Sequence, residues 1–159
     1  MNRIELYNKT TTTLLNAYKN GTLFHGNCHA CAVGNICRGQ DSWTKVIGIT
    51  SYSYKGTEIK NFVIREAPLG DDSDGCSLIK STGYTPYELA KIEYAFESSI
   101  GLSHKGHKYW IKKENQKQGQ YIGLKALFKV LAEIHGQPTD KEVQKQLDTI
   151  ATTVFDIAL

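Results

Sequence analysis

Apolar residues recur along this chain at two different spacings. Ile4, Tyr7, Leu14 and Tyr18 fall three and four residues apart, with Thr11 in the missing place and Leu15 widening the stripe. That period is one face of an α-helix. The β-branched run at 10–13 lowers its intrinsic helicity, so tertiary packing has to hold it. Gly21 is placed to end it in a left-handed conformation. A second, short helix is predicted from 28 to about 37, with Asn27 as N-cap and Gly39 as its stop. From Trp43 to position 66 the pattern turns strand-like: Val46, Ile47, Ile49, Tyr52 and Tyr54 precede Lys55-Gly56, and Ile59, Phe62, Val63 and Ile64 follow. β-Branched and aromatic residues on either side of a glycine turn predict a hairpin. Asp41-Ser42-Trp43 can equally cap a helix entering this region. The Pro, Gly and Asp content of 67–75 reads as a loop.

The C-terminal half carries stronger helical signals. Thr85-Pro86-Tyr87-Glu88 combines an N-cap, proline at the first helical position and the glutamate of a capping box. Leu89, Ile92, Phe96 and Ile100 then form one face, closed by Gly101. Tyr121, Leu124, Leu127, Phe128, Leu131 and Ile134 make another amphipathic helix, ended by Gly136 and Pro138. Thr139 with Glu142 predicts a last capping box, leading into Val143, Leu147, Ile150, Val154 and Ile157. Glu88, Glu93 and Glu97 read as a solvated face. The expected architecture is mainly α: a small domain of about four to five helices with a short β-hairpin insert in the middle. It spans 1–159 as a single domain, with the N-terminal helix and Cys-rich turn at 1–40, the β-like middle at 43–66 and the C-terminal helices at 86–159.

Composition narrows the class without naming a reaction. The chain has 159 residues, 40% hydrophobic and 22% charged, with 3 Pro. That is enough for an apolar core without disulfide staples, and it excludes disordered or collagen-like sequence. No apolar run approaches the ~18 residues a membrane span needs, and the N-terminus lacks the apolar stretch of a signal peptide. The expectation is a soluble cytoplasmic protein with no membrane partner. The net charge of +3 is too small to imply nucleic-acid binding by itself. It is concentrated, however: 103–118 holds Lys105, Lys108, Lys112, Lys113 and Lys117 against Glu114, five against one, for +4. With His104, His107, Tyr109 and Trp110 interleaved, this segment is the candidate surface for an acidic protein or nucleic acid, through Lys105, Lys108, Lys112 and Lys113.

The cysteines are the leading chemical signal. Cys28, Cys31 and Cys37 lie within ten residues, and Cys76 lies apart. In a reducing compartment a Cys-x-x-Cys pair points to metal or redox chemistry rather than to a disulfide framework. On a helix starting at Asn27, both thiols of the pair would sit near the positive N-terminal end, which favours thiolate. Zinc takes four tetrahedral thiolate or imidazole ligands. Cys28, Cys31 and Cys37 supply three and His25 the fourth, with His29 and Cys76 as alternatives for that place. An iron–sulfur cluster would use the same thiolates, and thiol–disulfide exchange would use Cys28 and Cys31. The loop Asp71-Asp72-Ser73-Asp74-Gly75 fails as a Ca²⁺ loop, because Gly70 and Ser81 stand where ligands are required. No Ser-His-Asp signature, glycine-rich phosphate loop or HExxH is present.

The string Cys28-His29-Ala30-Cys31-Ala32-Val33-Gly34-Asn35-Ile36-Cys37 followed by Trp43 resembles a family of small uncharacterised bacterial proteins. The run from Thr82 through Glu93 and the Tyr121-x-Gly123-Leu124 helix resemble the same family. Its members are often labelled as a component of the Na⁺-translocating NADH-quinone reductase. The label implies a 2Fe-2S ferredoxin domain and a flavin domain binding FAD and NADH. A chain of 159 residues does not hold both, carries no dinucleotide fingerprint and does not match the ferredoxin cysteine order. The resemblance places Cys28, Cys31, Gly34 and Asn35 in the shared motif, and Cys37 and Cys76 less securely. The expected function is a metal-binding protein, with zinc as the ion, a binding or regulatory role and no evident catalytic residues. A redox or iron–sulfur protein and a protein that engages an acidic partner are the alternatives.

Overall fold

The computed structural model describes residues 1–54, 57–64, 73–101 and 112–159. Its elements run α1 (Arg3–Asn20), α2 (Ala32–Ile36), a 3₁₀ turn (Ser42–Lys45), β1 (Ile47–Tyr54), β2 (Thr57–Ile64), α3 (Asp74–Thr82), α4 (Pro86–Gly101), a second 3₁₀ turn (Lys113–Asn115), α5 (Gln116–Ile134) and α6 (Lys141–Thr153). The described chain is mainly helical. β1 and β2 pair antiparallel, with Ile47 opposite Ile64 and Tyr54 opposite Thr57. The turn expected at Lys55-Gly56 lies outside the described residues.

The helices form where apolar stripes meet. α4 packs along α5, α2 sits against α1 and α4, and α6 closes on α5 and α1. Leu89, Ile92 and Phe96 of α4 and Leu124, Leu127 and Leu131 of α5 are fully buried, as are Leu14 and Tyr18 of α1. Gly123 lets α4 and α5 approach: a Cβ there would lie 2.8 Å from Phe96 Cδ1 and 2.9 Å from the Phe96 carbonyl oxygen. Tyrosine hydroxyls tie the helices at their ends. Tyr7 donates to Asp140 at 3.0 Å, Tyr121 to Asp148 at 2.7 Å and Tyr18 to the Lys117 carbonyl at 3.0 Å. Tyr84 bridges Thr10 and His135, both at 2.8 Å.

Several expectations change. Ile4 is exposed, and Leu6 takes its place in the core against Gly83. The loop expected over 67–75 ends earlier, because Ser73 caps Cys76 N–H and starts α3, which Gly83 ends at φ 80°. Residues 67–72 lie outside the described set. The last helix is capped by Asp140, whose side chain accepts from Glu142 and Val143 N–H, rather than by Thr139. Val154 lies beyond that helix and is exposed. The Thr85–Glu88 capping box is present, with reciprocal bonds of 3.0 and 3.1 Å. No helix among the described residues is long and apolar enough to cross a membrane.

Candidate metal centre

The segment 27–41 is shaped by its own backbone. Ala30 and Cys31 N–H donate to the Asn27 carbonyl at 3.0 and 2.7 Å, and His29 N–H donates to the Asn27 side chain at 3.0 Å. Asn27 therefore closes a single turn instead of starting a helix over 28–37. The chain is extended at Cys31 (φ −71°, ψ −176°), and Cys31 is the N-cap of α2, its Sγ accepting from Gly34 N–H at 3.3 Å. The two cysteines of the pair thus sit on a turn and at a cap, not on one helical face.

Gly34 and Asn35 of the motif have structural tasks. A Cβ at Gly34 would lie 2.6 Å from the Cys28 carbonyl oxygen and 2.7 Å from the His29 carbonyl carbon, so only glycine lets α2 rest on that backbone. Asn35 Nδ2 reaches the carbonyls of Ala30, Cys31 and Thr22 at 2.9, 3.0 and 3.1 Å. The Trp43 indole N–H donates to the Cys28 carbonyl at 3.0 Å.

Past α2 the chain reverses through left-handed residues, Arg38 (φ 57°) and Gly39 (φ 79°). Gly39 N–H donates to the Gly34 carbonyl at 2.8 Å, and the Gly39 carbonyl faces His29 Nδ1 at 2.9 Å. A carbonyl can only accept, so Nδ1 is the donor, and in the neutral ring the lone pair is on Nε2. That Nε2 is 3.8 Å from Asp41 Oδ2. One ligand atom from each of Cys28, His29 and Asp41 lies within 4.8 Å of the other two; Cys28 is half-buried, His29 and Asp41 exposed. Among the described residues this is the one group of three such side chains gathered so closely.

Of the ligands expected from sequence, Cys28 belongs to this group, and His29, an alternative, joins it. The ligand atoms of Cys31, Cys37 and His25 lie outside it. Cys31 is buried at the α2 cap, and Cys37 ends the same helix. The His25 ring stacks on Phe96 (centroids 4.0 Å apart, planes at 1°), with Nε2 3.1 Å from the Phe96 carbonyl oxygen. Cys76 lies in the first turn of α3. Sequence reasoning missed Asp41, and its one available signal was the Gly39 reversal that returns the chain to His29.

Beneath the turn stands Glu93, which corrects the solvated-face reading. It is 1% exposed. Its carboxyl group accepts from Val33 N–H at 2.8 Å. Burial raises its pKa and neighbouring Glu97 adds to the effect, while the Val33 N–H and Cys31 thiol oppose it. Glu97 in turn accepts from Gly26 N–H at 2.8 Å. Burial, reinforced by Glu93, pushes the Cys31 thiol far above its ordinary range and Cys37 up to about 12. For Cys31 the thiolate expected at a helix start is therefore reversed, because loss of solvent outweighs the hydrogen bond its sulfur accepts from Gly34 N–H.

Lys112 and Lys113 are exposed at the second 3₁₀ turn, and Lys105 and Lys108 lie outside the described residues. No protein-family model, curated protein or solved structure matches this chain.

Proposed function

We propose that the chain is a small zinc-binding protein with a binding or regulatory role, and that Cys28, His29 and Asp41 hold the ion. The observation that carries this reading is the convergence of a sulfur, an imidazole nitrogen and a carboxylate oxygen within 4.8 Å of one another. Zinc takes these three donor types, in tetrahedral sites that accommodate a fourth ligand. His29 is oriented as zinc-binding histidines are, with its other ring nitrogen bonded to a backbone carbonyl. The fourth position would go to water or to a donor from a partner. A cluster needing several thiolates is less favoured, since this group holds one sulfur.

Titration of metal-free full-length chain with zinc against a chelating dye tests the reading. One zinc per chain is expected, and Co²⁺ in its place should give a sulfur-to-metal charge-transfer band. Cys28→Ser, His29→Ala and Asp41→Ala should each lower affinity at least as much as the ~10–100-fold seen on losing an outer-sphere partner. Cys76→Ser should not. Absence of uptake overturns the site, as does uptake that survives these three substitutions and is lost with Cys37→Ser.

A further inference from the structure

Cys28 stands between two kinds of neighbour. Toward solvent it meets His29 and Asp41. The second cysteine of the pair follows three residues on, in the turn where Cys31 N–H donates to the Asn27 carbonyl at 2.7 Å. Cys31 Sγ lies 4.0 Å from the Cys28 carbonyl oxygen, so that sulfur leans back over residue 28. A single closed turn holds residues three apart within the roughly 4.4–6.8 Å between Cα atoms that a disulfide spans. Both cysteines are free thiols here. Cys28 is half-buried and reachable, whereas Cys31 is buried, its sulfur accepting from Gly34 N–H at 3.3 Å.

Resting on the metal-site reading above, we propose that Cys28 and Cys31 form a peroxide-sensitive switch that governs whether the ion is held. Hydrogen peroxide transfers one oxygen to Cys28 Sγ, giving a sulfenic acid and one water. Cys31 Sγ then displaces the hydroxyl group from that sulfur. The S–S bond forms, the S–O bond breaks, and the hydroxide leaves with the Cys31 proton as a second water. Two thiols are oxidised and one peroxide is reduced. The Cys28 sulfur, now tied inward, no longer donates to the ion, which is released. A dithiol reductant reverses the step.

The test uses the full chain loaded with zinc and exposed to hydrogen peroxide, with a chelating dye reporting release and peptide mapping reporting the link. The expected result is one zinc released per 28–31 disulfide, with recovery of binding after reduction. Cys31→Ser, which keeps all three proposed ligands, should bind zinc normally yet accumulate a dimedone-reactive sulfenic acid at Cys28 instead of a link. Mapping of the unmodified chain needs no variant to fold, and a disulfide that joins other cysteines, or none at all, overturns the switch. The same mapping on metal-free chain separates the two readings. Zinc bound without a 28–31 link sinks the switch alone, and a link in a chain that never takes up zinc sinks the metal site and the switch's role in controlling it.

Discussion

Glu93 shows how one residue can invert a reading. Its spacing from Glu88 and Glu97 suggests a polar face, but it also stands four residues after Leu89 and three before Phe96, within the stripe that α4 buries. Its carboxylate is the acceptor for Val33 N–H, so Glu93→Ala should leave that donor unpaired in the interior, a loss of about 1–3 kcal/mol. Glu93→Gln keeps an acceptor and removes the titration. Burial, with Glu97 beside it, raises the folded-state pKa above the ordinary carboxyl value. A raised value means the native state holds the proton more tightly, so this contribution to stability is full below the ordinary value. It declines as the pH rises toward the folded value and is gone above it. Denaturation of the native chain should therefore show stability falling with pH across that interval, and Glu93→Gln should flatten the slope. An unchanged slope would mean that the group is not buried as described.

At the scale of elements, signals carried by a few adjacent residues were legible and those carried by a returning chain were not. The Thr85–Glu88 box and the Gly21 stop depend on local backbone bonds, and both form. α3 carries comparable signals in Ser73 and Gly83, but the surrounding Asp and Gly content obscured them. The Cys-rich helix began later than expected because Asn27 satisfied its neighbours in a turn, leaving Cys31 to cap α2. Gly34 is where that element is most sensitive. In Gly34→Ala the new methyl meets the backbone of Cys28 and His29, which cannot rotate away. The expected loss is about 1–3 kcal/mol of stability, as for an overpacked site. Zinc affinity should fall with it, since both residues carrying the contact are proposed ligands. A stable variant with native affinity would show that the close approach is not required.

For the whole molecule, the most deeply buried side chains do not include the proposed ligands. Leu14, Tyr18, Leu23, Phe96, Leu124, Leu127 and Leu131 are fully buried, and the proposed site lies on the exposed side of the turn. Chelation should therefore leave the helical circular dichroism intact, unlike domains whose metal-binding energy is their folding energy. Zinc should act by mass action alone, adding about 2.7 kcal/mol at one hundred times its dissociation constant. Collapse of the helical signal on chelation would place the ion within the structural framework instead. Of the five lysines in the basic segment, Lys112, Lys113 and Lys117 are described.

The sequence alone determined the helical class and the stripes of α1, α4 and α5, and it pointed to the Cys-rich turn as the candidate site. Periodicity and capping act between residues three or four apart, and these features need nothing further. Tertiary structure decided which side chains share a site. Asp41 reaches His29 because the chain reverses at Arg38 and Gly39. Glu93 meets Cys31 because α4 lies under α2, with Val33 and Glu93 60 residues apart along the chain. Burial then set the chemistry, since loss of solvent raises both the Glu93 carboxyl and the Cys31 thiol. Spacing along a sequence does not encode how far a group stands from water.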